Sequence, residues 1–410
     1  MVGRVPAWHV AFVPAVALLV AWTAALLAIA PDVARAASGT PPSGGAAPAG
    51  GTAPAAGAKQ ASATSAASSP GAFTLDDAVA VALQGADFEQ ARLALEKARL
   101  EYQQAIAANA ASPSPFAEQL ARHTFVQAQN QLVDAYHQTV SSTVGAYVDV
   151  VAARYGLQAA TLQAQNARQA RDTARQKAAA GSLGPLELQD AENQLQSTEA
   201  DLARAQLALD QAMDRLAQAL GYPEQMPQAD ALALPAQLPP VPGITAQQAL
   251  QKALAASRDV KWRREAVDIA QKQLDQAEAE KASPLELQVQ HANLRQAQLA
   301  ARQAERGVEA AVRGALGQVQ VARRGVDVAR AQMELEQRRL DGVQQQRKLG
   351  LKTDQDVTAA QAAVAKAQQS YANAVKTYLT ALVDLHKQLG EAPGWGPAGA
   401  LDKLLEEPAS

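Results

Sequence analysis

The sequence predicts an all-α fold made of two tandem repeats of long antiparallel helical hairpins, and three observations predict it. Landmarks recur at a single spacing: Gly181 and Gly350, Pro115 and Pro284, and Gly221 and Gly390 each lie about 169 residues apart, the scale of a structural repeat. Between Phe116 and Ala180 there is no proline and only Gly145 and Gly156 interrupt the helix formers, so a rod of about 65 residues and roughly 98 Å fits there. The chain is 48% hydrophobic but only 4% aromatic, which favours helices packed through small side chains over an aromatic core.

The repeated stretch carries its own punctuation. Arg175 and Lys177, like Arg347 and Lys348, place positive charge at a helix C-terminus, and Gly181 and Gly350 suit the left-handed position that ends a helix. The following helices begin with Gly184, Pro185 and Glu187 in one copy and with a Thr353 to Asp356 capping box in the other. Leu188, Ala191 and Leu195 then correspond to Val357, Ala360 and Val364. Both stretches read as helical hairpin tips.

Taken in order, the helical region opens at Thr74, where T-L-D-D resembles a capping box, and is expected to run as one helix to about Ala110. A turn at Ser112 to Pro115 leads into the first rod, and the helix after the first tip ends at Gly221. Residues 222–243 are a proline-rich connector, expected near mid-rod because the two half-length helices of about 55 and 53 Å together match one rod. The second copy opens on Thr245 with Gln248, turns at Ser283 to Glu286, sends its rod from Leu285 to Leu349 and closes at Gly390. Thr74 and Thr245 differ by about 171 residues, so a small insertion or deletion separates the first helices. The repeats are assigned to 73–221 and 244–390, with a tail at 391–410.

The N-terminus carries an address. Arg4 precedes an apolar run from Val10 to Ala30, and Ala34-Arg35-Ala36 offers a cleavage site, so residues 1–36 read as a secretory signal, or as an anchor if retained. Residues 37–72 are rich in Ala, Gly, Pro and Ser and read as a disordered linker. The rest is expected outside the cytoplasm. With no cysteine, disulfides and thiolate metal sites are excluded.

No constellation points to an enzyme, a cofactor or a metal. His9, His123, His137, His291 and His386 are scattered without ligand spacing, and no phosphate loop or nucleophile elbow occurs. Asp76 with Asp77 and Asp354 with Asp356 sit at helix starts, where capping explains them. A net charge of -3 gives no reason to propose nucleic acid as a partner. Val133, Tyr136, Val140, Val144, Tyr147, Val151 and Tyr155 step at a period of about 3.67, which suits nearly straight helices side by side and self-association. Arg168, Arg171 and Arg175, with Arg338 and Arg339 on the second rod, read either as a solvated helix face or as charges at the mouth of a tube.

Gly181-x-x-Gly184-x-x-Glu187-Leu188-x-x-Ala191 and Gly350-x-x-Thr353-x-x-Asp356-Val357-x-x-Ala360, in register on one helix plan, resemble the TolC family of outer-membrane efflux proteins over Thr74 to Gly390. The resemblance implies a homotrimeric helical tube in the cell envelope, periplasmic or outer-membrane associated, working with a membrane-fusion adaptor and an inner-membrane pump or transporter. It places adaptor docking at the tips: Leu349, Gly350, Leu351 and Thr353 resemble the family's V-G-L-x-T, and Gly181, Leu183 and Gly184 correspond by position. Family members insert a β-hairpin into each half to build a membrane barrel. Here only Ser112 to Pro115 and Ser283 to Pro284 stand at those places, so no transmembrane β-barrel is expected. The competing reading is an extracytoplasmic coiled-coil spacer without transport activity. An adaptor is disfavoured because no strand pattern for a β-rich domain accompanies the hairpins.

Overall fold

The computed structural model describes residues 73–111, 115–223 and 225–395, all within the unit Ser65–Ser410. The signal and linker readings fall outside these residues, as does most of the tail. Eight α-helices occur among the described residues: α1 (Leu75–Ala82), α2 (Ala86–Ala111), α3 (Pro115–Ala179), α4 (Pro185–Ala219), α5 (Ala246–Ala256), α6 (Arg258–Ala279), α7 (Pro284–Lys348) and α8 (Asp354–Leu389). The rods α3 and α7 are both 65 residues long. No strand is present among the described residues, only an isolated bridge between Phe73 and Leu232. The all-α, two-repeat architecture expected from the sequence is therefore the observed one.

The helices lie as a wall. On the tip side of its middle α3 packs against α4 and α8, and α8 packs against α7; on the other side α2 lies on α3 and α6 lies on α7. Arg122 of α3 reaches Glu265 of α6 at 3.3 Å, closing the order α2, α3, α6, α7 there. Among the described residues the wall thus has two free edges, α2 and α4 on one side and α7 on the other.

One expectation fails. The helix from Thr74 to Ala110 is not continuous: it breaks between Leu83 and Gly85, and its counterpart breaks at Ser257. Both breaks have the same cause. Gly85 lies against Gly221, the residue that ends α4, so closely that a Cβ on Gly221 would sit 3.2 Å from the Gly85 Cα. In the second repeat Gly390, which ends α8, abuts Ala256, the last residue of α5. Each repeat's opening helix bends where its closing helix ends, and the chain then restarts under a new cap, with Ser257 accepting from the Val260 N–H.

Mid-rod α3 is buried over most of its circumference, with Thr143, Val144, Ala146, Val148, Val150 and Ala152 all enclosed and Ser142 left exposed, so the predicted apolar stripe is only part of a wider core there. The connector is fastened to this belt. Tyr147 Oη donates toward the Phe73 and Ala233 carbonyls at 2.8 and 3.1 Å and accepts from the Ala233 N–H, while Arg154 donates to the carbonyls of Ala229 and Leu232. From the other repeat, Tyr378 Oη donates to the Pro239 carbonyl at 2.6 Å. Lys376 of α8 then bridges to both carboxylate oxygens of Asp149 on α3 at 2.8 Å, its stem passing Gly145, where a Cβ would make only ordinary contact.

Candidate functional site: the hairpin tips

At the first tip the chain leaves α3 through two reversed bonds, Ser182 N–H to the Lys177 carbonyl and Gly181 N–H to that of Ala178, with Gly181 at φ 71°. The second tip repeats this geometry with Leu351 to Gln346, Gly350 to Arg347 and Gly350 at φ 74°. This is the Schellman arrangement, in which only glycine adopts the left-handed position without steric cost.

The restarts differ. Gly184 has no side chain to cap α4, and the helix start is held by Pro185 and by the Gly184 N–H donating to Glu187 at 2.9 Å. At the second tip Thr353 donates from both N–H and hydroxyl to Asp356 at 2.8 Å, and the Asp356 N–H returns to the hydroxyl. Arg347 clasps Asp354 through two bonds of 2.7 and 2.9 Å, joining the last turn of α7 to the first of α8. These bonds hold the Asp356 and Asp354 carboxyls below the ordinary range, the first through Thr353 and the second through Arg347.

The apolar residues at the tips are left in the open. Leu349 and Leu351 are 74% and 72% exposed, while Leu183 is only half-buried. Leu186, not singled out from the sequence, is 73% exposed and is the first tip's bare leucine. Its position just after the N1 proline was the available signal, because a first-turn side chain has no preceding turn to cover it.

The arginines have local partners. Arg168 and Arg175 donate to Glu199 and Glu192 of α4 at 3.0 and 2.7 Å, stapling the first hairpin together. Arg171 lies 2.7 Å from Asp172 without hydrogen-bond alignment, and Arg339 pairs with Glu336 one turn back. Arg338 borders an open groove of about 330 Å³ with Met333, Glu334, Gln337 and Gln368. Since α8 lies between α3 and α7, the two arginine sets stand apart on the two rods. A wider open groove of about 650 Å³ runs between α3, α4 and α8, floored by Ala167, Ala359 and Ala362 and edged by Asn166, Thr198 and Lys366.

Among the described residues no group of His, Asp and Glu is placed to hold a metal ion, and no helix is long and apolar enough to cross a membrane. The tips thus present bare leucines around glycine turns closed by backbone bonds.

Comparison with known proteins agrees with this arrangement. Residues 117–222, most of α3, the first tip and all of α4, match the family model described as outer membrane efflux protein. The search of curated sequences found no match. Among solved structures, the Campylobacter jejuni CmeC outer membrane channel is similar with a TM-score of 0.56 and 15% identity, over 80% of this chain and 88% of that one. A membrane protein from Pseudomonas aeruginosa gives 0.53 and 17% over 77% and 93%, and the outer membrane protein VceC from Vibrio cholerae 0.51 and 15% over 78% and 96%. Residues 117–222 thus match the outer membrane efflux protein model, and the chain shares the long-helix fold of these solved channel structures, with no strand among its described residues.

Proposed function

We propose that the chain is a duct component of a cell-envelope export system, closing with two further copies into a helical tube whose tips dock a membrane-fusion adaptor served by an inner-membrane pump. One observation carries the reading: both free edges of the wall bear apolar residues at seven-residue spacing. On α7, Val312, Val319 and Val326 are buried toward the wall, and two positions on from the latter pair, about 200° around the helix, Val321 and Val328 are bare at 67% and 71%, followed by Leu335. Gly307, Gly314, Gly317 and Gly325 lie on that same outward side, and a Cβ at any of them would meet nothing within 4 Å among the described residues. The opposite edge exposes Leu93 and Leu100 of α2 and Leu207 of α4.

A seam between two different edges is heterologous, and heterologous contacts form rings when the rotation closes. Glycines on an outward helix face let a neighbouring helix approach closely, and the bare apolar edge residues gain burial on closure. The paired arginines on α3 fit a solvated hairpin face better than a charged mouth. The envelope location follows from the same reading. The test is the mass of the full chain in solution together with capture of an adaptor in cells. We expect a trimer, and expect Leu349→Asp with Leu351→Asp to leave the trimer intact while reducing adaptor capture at least tenfold. A stable monomer overturns the duct, and undiminished capture overturns the tip assignment.

A further inference from the structure

His137 is the most deeply buried ionisable imidazole of the described residues. It lies on α3, 2% exposed, edge-on to the Tyr136 ring at 5.5 Å, and neither ring nitrogen has a hydrogen-bond partner. The charged and titratable groups around it come from three elements and one cap. Asp134 stands one turn back on α3, His386 and Lys387 face it from the last turn of α8, and beyond them lie Lys252 of α5 and Glu391 after the α8 cap.

These groups form the fastening of the end of α8. Lys387 bridges to Asp134 on α3 at 2.9 Å, Glu391 pairs with Lys252 of α5 and lies 3.3 Å from His386 Nδ1 without a hydrogen bond, and Gly390 seats directly against Ala256 of α5. Neutral His137 fits this setting as a packed ring. A protonated His137 would be a buried cation with no acceptor, next to a lysine, and the nearby carboxylate of Asp134 is already committed to that lysine.

We propose that the joint where the end of α8 is held between α3 and α5 is an acid-sensitive latch, closed while His137 is neutral and released when it takes up a proton. Release follows by either available route: the ring leaves its pocket, or Asp134 turns to it and lets go of Lys387. Both undo a tie between the repeats at the helix end that Gly390 caps. The direction of the imidazole's basicity agrees, since burial first and Lys387 second push it down to about 4, while Asp134 opposes them. His386 is lowered too, by burial and then Lys252, but it has Glu391 as a partner when charged.

Hydrogen exchange on the full chain, corrected for intrinsic rates, tests the latch at 383–391 and 249–256. Between pH 7.5 and 5 the opening of these segments should rise roughly ten- to thirtyfold, the factor set by an imidazole that titrates near 4 when closed and near 6.5 when free. His137→Leu, of similar size and without charge, should abolish the rise, and His386→Gln should keep it. An equal rise in His137→Leu overturns the proposal. If that variant fails to fold, the imidazole proton resonance of His137 in the native chain decides: titration near 4 supports the latch and titration near 6.5 overturns it.

Discussion

At Gly390 two demands meet at one residue. Its φ of 68° is left-handed, and a Cβ there would sit 2.5 Å from that of Ala256. Gly181 has the same backbone sense at φ 71° but open space around it. Gly181→Ala should therefore cost only the left-handed strain, about 1 kcal/mol, whereas Gly390→Ala should cost about 2–4 kcal/mol because α5 must also shift. Denaturant unfolding of the two variants checks this, and equal losses would show that the α5 contact yields freely. Tyr147 shows the same principle without strain: its hydroxyl ties Phe73 and Ala233 to α3, which no sequence pattern announces because its partners lie on other segments.

At the scale of the element, the second tip is held by short-range chemistry. Thr353 and Asp356 satisfy the first turn of α8 and Arg347 clasps Asp354 across the turn, so Thr353→Ala should cost about 1 kcal/mol. The acid dependence has a definite sign. Both carboxyls are held below 3.8 in the folded chain, so their stabilisation is present above that pH and is lost as pH falls through their lowered folded values. Exchange at amides 351–358 should accordingly accelerate in the native chain only below about pH 4, well under the window of the His137 latch, and Asp356→Asn should show the faster exchange already at neutral pH. Faster exchange at the tip already at pH 5 would show that the cap is not what holds it. The cap was legible in the sequence because its partners are three residues apart, whereas the Arg347–Asp354 clasp across the turn was not singled out there. The break at Gly85 was not, because its cause is Gly221, on another helix.

At the scale of the whole molecule, the question is which edge meets which. Val328 lies about 33 Å along α7 from Gly350, and Leu207 lies about 35 Å along α4 from Gly184, so the two stand at matching heights on opposite edges. The chain has no cysteine, so Val328→Cys with Leu207→Cys introduces the only thiols. Oxidation should link copies into covalent trimers with no bond within a chain, read as a ladder on a denaturing gel. A covalent dimer formed by Val328→Cys alone would mean that like edges meet, a two-fold pairing and not a ring.

The sequence by itself determined what depends on near neighbours and on periodicity: the all-α class, the two copies in one register, the equal rods, and the tips with their caps, because a helix and its ends are specified by residues within a few turns. It also pointed to the outer membrane efflux family through the paired tip motifs. Only the tertiary structure decided the breaks at Gly85 and Ser257, the pairing of Arg168 and Arg175 with α4, the deep burial of His137 and which faces of α2, α4 and α7 stay bare. Each of these is set by residues far apart in the chain, and side chains as similar as Val326 and Val328 acquire opposite roles only once a neighbouring helix covers one face and leaves the other open.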